Sequence, residues 1–149
     1  SVKVTARAVR DLIAAGLGRP PVMVPTAGPP GSAALMTAPD AVPGYLGLVD
    51  DEARAAGFDN QVAARVVLNI VRHRPGRRAK KVRCPILFAV CETDSVAPAK
   101  ATLRHARTAP RGEIRLYPAG HFDIYLGDWF ETTVTDQLPS LTTHVPVND

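Results

Sequence analysis

An unbroken apolar run at residues 86–90 (ILFAV) places the strongest constraint on what this chain can fold into. A strand with one face in water alternates apolar and polar residues, whereas a strand covered on both faces is apolar throughout. We therefore predict a parallel strand at residues 86–90, with helices on both sides of its sheet. A two-stranded sheet is marginal by itself, so this strand also needs further strands beside it.

A helix and a second strand are predicted directly after this run. Pro98 opens residues 98–108, in which Leu103 and Ala106 stand at helical spacing. Residues 114–117 (IRLY) are a shorter strand candidate. A strand, a helix and a strand in succession force the two strands to pair in parallel, so their carboxyl ends meet at one edge of the sheet. Open parallel sheets place their ligand sites at that edge.

Two motifs begin where these strands end. Residues 91–98 (CETDSVAP) follow the first strand, and residues 119–122 (AGHF) follow the second. Because paired strands lie about 4.8 Å apart, Asp94 and His121 are expected within hydrogen-bonding reach of each other. An imidazole takes and returns a proton near neutral pH, and a carboxylate on its other nitrogen fixes its orientation. We predict Asp94 as the orienting acid and His121 as general base and then general acid.

The nucleophile that such a pair would serve is not evident in the sequence. None of the serines stands in a G-x-S-x-G elbow; they are Ser1, Ser32, Ser95 and Ser140. Ser32 lies beside a glycine in residues 28–32 (GPPGS), but this proline-rich loop has no strand before it. We expect the nucleophile to come from elsewhere. Glu92 is the alternative acid, and Asp123 is expected to be structural.

These residues resemble the carboxyl-terminal part of an α/β-hydrolase. In that family the catalytic triad runs serine, acid, histidine along the chain, and Asp94 followed by His121 matches the second and third members. The acid usually lies in a G-x-x-D-x-x-x-P-like turn, which residues 91–98 resemble with Cys91 in the glycine position. The histidine usually lies in a Gly-His loop before the last helix, as Gly120 and His121 do. The resemblance covers residues 83–141 well and residues 1–78 loosely.

The resemblance implies a serine-type hydrolase that cleaves an ester or related acyl bond of a small molecule without a cofactor. Dehalogenases and epoxide hydrolases share it with an aspartate nucleophile, so a serine, aspartate or cysteine nucleophile stays open. The implied fold class is α/β: a partial α/β-hydrolase fold formed by the last parallel strands and helices of a sheet. Residues 1–78 would be a mostly helical cap or lid insertion, and residues 79–149 would belong to the core domain.

The remaining strands are expected from missing sequence or from another chain. Residue 1 is serine and not methionine, which agrees with a truncated or cleaved product. We therefore expect the isolated chain to be inactive until an N-terminal segment with the nucleophile joins it. Homo-oligomerisation stays open.

Several shorter elements are expected around this core. Residues 5–17 fit a helix, residues 22–24 a brief extended piece, and residues 45–49 a helical turn. Residues 59–73 are predicted as the best helix of the first part, with Asp59 as its cap.

The last helix is predicted at residues 128–138. Asp128 would cap it, Glu131 stands in the capping-box position, and Phe130, Val134 and Leu138 share one face. Pro139 should end or kink it.

The net charge of +4 arises from 18 basic and 14 acidic residues, and much of the excess lies in residues 72–83. As an alternative to catalysis, this basic connector could make the chain a non-catalytic, hydrolase-like module that binds an anionic partner. The run has no aromatic side chain to stack on bases, and we expect neither nucleic acid nor membrane as a partner. A solvated connector is the preferred interpretation.

The composition also limits the class of protein. A length of 149 residues with 46% hydrophobic content fits one globular domain, and no segment has the apolar length of a membrane span. The chain has no H-x-x-x-H or C-x-x-C motif, so no metal site is expected. Cys84 and Cys91 would lie about 23 Å apart across an extended strand, too far for a disulfide. A reducing, cytoplasmic location is the expectation.

Overall fold

The computed structural model describes residues 2–145. These residues form two compact units, divided between Arg74 and Pro75. The first unit contains α1 (Val2–Gly16), β1 (Met23–Pro25), α2 (Ala41–Gly47), α3 (Asp51–Ala55), β2 (Gln61–Ala63) and α4 (Val66–Arg72). The second contains a 3-10 helix (Pro75–Lys81), β3 (Ile86–Cys91), α5 (Ala99–Ala106), β4 (Gly112–Tyr117), a second 3-10 helix (Asp123–Tyr125) and α6 (Gly127–His144).

The first unit is built around the inner face of α1. Val4 and Ala8 are buried there together with Val24 of β1 and Ala64, which follows β2. The two short strands pair antiparallel, with Val24 opposite Val62. The helix expected at residues 5–17 is therefore present, and the brief extended piece after it is β1.

The single helix predicted at residues 59–73 is wrong in its first half. Gln61–Ala63 is strand β2, and the helix α4 begins only at Val66. Asp59 is consequently not a helix cap. The difference arises from a contact between distant residues: β2 forms hydrogen bonds with the backbone of β1. A β-branched residue such as Val62 also favours a strand. The helical turn predicted at residues 45–49 also lies earlier, within Ala41–Gly47.

The second unit has the predicted strand, helix and strand in parallel arrangement. β3 and β4 pair in register from Ile86 opposite Gly112 to Cys91 opposite Tyr117, and α5 connects them. Within residues 2–145 β3 pairs with β4 alone, so its other edge is unpaired. Residues 86–89 of this strand are half-buried, and burial is complete only at Val90 and Cys91.

The last helix is longer than predicted. α6 begins at Gly127, and Leu126 precedes it as the cap residue, so the capping role predicted for Asp128 is wrong. Pro139 lies inside the helix, which continues to His144. A proline removes one backbone donor, but the helix continues for five residues beyond it.

No helix among the described residues is long and apolar enough to cross a membrane. Both cysteines are free thiols; Cys84 is exposed and Cys91 is buried.

Candidate catalytic site

Asp94 is held by the loop that connects β3 to α5. Its Oδ1 atom accepts hydrogen bonds from the backbone N–H groups of Val96, at 2.8 Å, and Ala97, at 2.6 Å. An aspartate often stabilises a turn in this way by bonding to the backbone two or three residues ahead. Because Oδ1 is occupied by the turn, Oδ2 is the oxygen available to a second group.

His121 is that second group. Its Nδ1 atom lies 2.8 Å from Oδ2 of Asp94. The imidazole packs edge-on against the ring of Phe122, with centroids 4.8 Å apart and an interplanar angle of 86°. The side chain of His121 is 28% exposed and that of Asp94 is 11% exposed. The pair is therefore shielded on the carboxylate side while the imidazole still reaches the surface.

The backbone beyond the two strands explains this contact. The carbonyl of Tyr117 accepts hydrogen bonds from the N–H of Glu92, at 2.8 Å, and of Ala119, at 2.7 Å. The carbonyl of Ala119 accepts from the N–H of Thr93 at 3.2 Å. The two loops thus remain joined past the last paired residues of β3 and β4, and Asp94 is the next residue after this junction.

Asp123 shapes the histidine loop. Its Oδ2 atom accepts a hydrogen bond from the N–H of Gly120 at 2.6 Å. A Cβ atom at Gly120 would lie 3.0 Å from the same oxygen, so this position leaves little room for a side chain. Glu92, the alternative acid, is exposed, whereas Asp94 meets the imidazole.

The hydrogen bonds of Asp94 keep it ionised. Burial alone would raise the pKa of Asp94, but the N–H groups of Ala97 and Val96 and the imidazole of His121 outweigh burial and lower it. An ionised carboxylate stabilises a proton on Nδ1 of His121, which leaves Nε2 as the nitrogen that can accept another proton.

Cys91 lies at the end of β3, in the position where the resemblance expects glycine. Burial raises the pKa of its thiol, and the nearby carboxylates of Asp94 and Asp123 raise it further. A thiol is nucleophilic mainly as the thiolate. The raised pKa of Cys91 disfavours its thiolate.

The serines considered as nucleophiles lie in different places. Ser32 belongs to the first unit, in the loop after the antiparallel strand β1, and its hydroxyl is buried without a hydrogen-bond partner among the described residues. In the second unit Ser95 directly follows Asp94, and Ser140 lies on α6. Ser32 and Ser140 do not directly follow a parallel strand of the described sheet, and Ser95, which lies in the loop after β3, does not stand in a G-x-S-x-G elbow.

Sequence reasoning missed the contacts on the other side of β4. The hydroxyl of Tyr117 donates a hydrogen bond to Oδ2 of Asp136 at 2.9 Å, and its ring packs edge-on against Trp129. The available signal was weak: an aromatic residue with a polar tip ends the second strand, and Trp129 and Asp136 are seven residues apart on the last helix. No group of three or more potential metal ligands occurs within residues 2–145.

Comparison with known proteins identifies the fold of this chain. No family model matches the chain. The quorum-quenching protein AidA of Acinetobacter baumannii (strain MDR-ZJ06) is 50% identical over 147 residues, which are 99% of this chain and 47% of the relative. The chain thus spans about half the length of the curated relative that it matches.

Two solved structures are similar over nearly the whole chain. The structure of DcsB in complex with its substrate analogue has a TM-score of 0.70 at 19% identity, covering 97% of this chain and 50% of that one. The α/β hydrolase GrgF from Penicillium sp. sh18 has a TM-score of 0.67 at 17% identity, with 97% and 49% coverage. The chain has a partial α/β-hydrolase fold, which confirms the predicted fold class and the resemblance to the C-terminal part of such an enzyme.

Proposed function

We propose that this chain is the acid- and histidine-bearing half of a serine-type α/β-hydrolase that cleaves an ester or related acyl bond. The observation that carries the proposal is the 2.8 Å contact between Nδ1 of His121 and Oδ2 of Asp94. Both side chains follow the carboxyl ends of parallel strands, the edge at which open α/β sheets bind ligands. The pairing of an ionised carboxylate with an imidazole is the arrangement that activates a hydroxyl nucleophile.

The chemistry of the pair follows from the two ring nitrogens of His121. Asp94 holds the proton on Nδ1, and Nε2 takes the proton of the nucleophilic hydroxyl as its oxygen attacks the acyl carbon. The protonated imidazole then gives that proton to the leaving alcohol as the acyl–oxygen bond breaks. A water molecule repeats the sequence on the acyl-enzyme and releases the acid. The carboxylate of Asp94 stays ionised throughout and stabilises the imidazolium.

The nucleophile is supplied by a polypeptide segment outside these residues. The unpaired edge of β3 supports this part of the proposal, since another strand can hydrogen-bond there. The curated relative is about twice as long as the matched region, which leaves room for such a segment. Residues 1–78 would serve as the cap insertion, and residues 79–149 as part of the core. The chain alone is expected to be inactive.

The name of the curated relative suggests a class of substrate. A quorum-quenching protein acts against bacterial signalling. We propose a small signalling molecule with an ester or related acyl bond as the substrate class. The acyl bond is what the pair of Asp94 and His121 is suited to cleave.

The test joins this chain to the remaining half of the curated relative, either as a fusion or by co-expression. Hydrolysis of p-nitrophenyl esters by the joined protein is then measured with His121→Ala and with His144→Ala, an exposed histidine of α6, as the control. His121→Ala should lower kcat by roughly 10³-fold or more, and His144→Ala should not. A joined protein that hydrolyses esters equally well with His121→Ala would refute the role of the pair.

A second candidate function is binding of an anionic partner by the basic connector, residues 72–83. All its charged side chains are exposed, and within residues 2–145 none of them forms an ion pair; they are Arg72, Arg74, Arg77, Arg78, Lys80, Lys81 and Arg83. Such a surface would retain anionic partners in a salt-dependent way. Retention on heparin at low salt, lost when Arg77, Arg78, Lys80 and Lys81 are neutralised together, would favour this function. No retention at low salt would exclude it.

A further inference from the structure

Tyr117 lies where the two catalytic loops meet. It is the last residue of β4 and is 3% exposed. Its carbonyl oxygen accepts the N–H of Glu92, which begins the loop of Asp94, and the N–H of Ala119, which lies in the loop of His121. The position of this one carbonyl therefore bears on both members of the pair.

The side chain of Tyr117 is fixed by α6. Its hydroxyl donates to Oδ2 of Asp136 at 2.9 Å, and its ring meets the indole of Trp129 at 77° with centroids 6.5 Å apart. Residues seven apart lie on the same face of a helix, so one face of α6 supplies both contacts. Thr133, between them on this face, is also buried.

The hydroxyl of Tyr117 is protonated at neutral pH and well above it. Burial raises the pKa of Tyr117 to about 12, and the carboxylate of Asp136 contributes to the increase. The phenol consequently stays protonated and remains a donor.

We propose that Tyr117 and Asp136 are positioning residues: their hydrogen bond braces the Tyr117 carbonyl against α6 and thereby holds Asp94 and His121 at contact distance. The inference rests on the proposed function for its catalytic meaning. Neither residue touches the imidazole or the carboxylate of the pair in any described hydrogen bond. Their effect is transmitted through the N–H groups of Glu92 and Ala119, and through Thr93, which bonds to Ala119.

The proposal is tested by NMR on the joined protein, with readouts that do not depend on hydrolysis. Two signals are followed: the downfield resonance of the His121 Nδ1–H in its bond to Asp94, and the hydrogen-exchange rates of the Glu92, Thr93 and Ala119 amides. Tyr117→Phe and Asp136→Ala each remove the hydrogen bond between these two side chains, which is called the brace below. Asp136→Asn keeps an acceptor oxygen, and Glu131→Gln is the control at an exposed acid of the same helix.

Tyr117→Phe and Asp136→Ala should accelerate exchange at the three amides by about tenfold, the size expected for one lost hydrogen bond, and broaden the His121 resonance. The central amides of the β3–β4 pairing should change much less. Asp136→Asn should restore the rates of the unsubstituted chain, and Glu131→Gln should leave them unchanged. If Tyr117→Phe prevents folding, the comparison of Asp136→Ala with Asp136→Asn decides.

Unchanged amides and an unchanged His121 resonance in the variants without the brace would overturn the proposal. Acceleration spread evenly over all amides would overturn it as well, since that is global destabilisation. So would equal effects of Asp136→Asn and Asp136→Ala. If the brace is present but His121→Ala leaves ester hydrolysis intact in the joined protein, the proposed function fails while the structural coupling stands.

Discussion

The carboxylate of Asp11 accepts hydrogen bonds from both the backbone N–H and the Nε of Arg65, 54 residues further along the chain, at 2.8 and 2.9 Å. Its other oxygen accepts the N–H of Val22 at 2.8 Å. Asp11 is fully buried in α1, and these bonds tie that helix to the residues before β1 and after β2. A buried carboxylate whose hydrogen bonds are all formed connects the elements around it. Loss of one of these bonds lowers the free energy of unfolding substantially.

Asp11→Asn should therefore destabilise the first unit markedly. The amide presents a donor where the carboxylate accepts, so at least one of the N–H groups of Val22 and Arg65 loses its acceptor in a buried place. Thermal unfolding followed by circular dichroism measures the loss. Glu52→Gln, at an exposed acid of α3, is the matched control and should leave Tm unchanged. Equal Tm values for the two variants would contradict the assigned role of Asp11.

Acid should destabilise the chain through the same carboxylate. Burial would raise the pKa of Asp11, but the N–H groups of Arg65 and Val22 and the charge of Arg65 outweigh it and lower the pKa. A lowered folded-state pKa means that the stabilisation is complete above the unfolded-state value, near 3.9, and is lost as pH falls through the folded-state value. Tm should drop below about pH 4. The drop in Tm should be shallower in Asp11→Asn. An identical dependence of Tm on pH in the two proteins would contradict the contribution of Asp11.

In the joined protein, Asp94→Asn should lower kcat by roughly 10³- to 10⁴-fold. The substituted amide can still accept from Val96 and Ala97 but presents an N–H group to Nδ1 of His121, which favours the tautomer protonated on Nε2. That tautomer cannot act as the base. Glu92→Gln is the control, and steady-state ester hydrolysis is the measurement. A larger loss with Glu92→Gln would make Glu92 the acid.

Gly76→Ala should loosen the 3-10 helix Pro75–Lys81 from α5. A Cβ atom at Gly76 would lie 2.7 Å from Cδ2 and 2.9 Å from Cγ of His105, so the ring or the backbone must move. Overpacking of this kind costs about 1–3 kcal/mol. Gly16→Ala has open space around it at the end of α1 and should be neutral or stabilising. Urea unfolding compares the two variants; equal stability would show that the Gly76 contact is not tight.

The parallel unit was predictable because its signals are local. An apolar run, a proline before a helical stretch and a second short run specify β3, α5 and β4 without knowledge of any distant residue. Parallel pairing then follows from connectivity, and the meeting of Asp94 and His121 follows from pairing.

The features that sequence reasoning missed depend on distant partners. Residues 61–63 form a strand only because β1 is present to pair with them. Asp11 is a polar residue on the buried face of a helix, and its acceptor role depends on Arg65, far along the chain.

The shared carbonyl of Tyr117 also has a consequence for sequence variation. Counted from the paired residues Cys91 and Tyr117, Asp94 is three positions along one loop and His121 is four along the other. Inserting or deleting a residue in either stretch would rotate one functional group away from its companion while leaving the strands untouched. The spacing of these loops is thus as much a requirement of the chemistry as the identity of the two side chains.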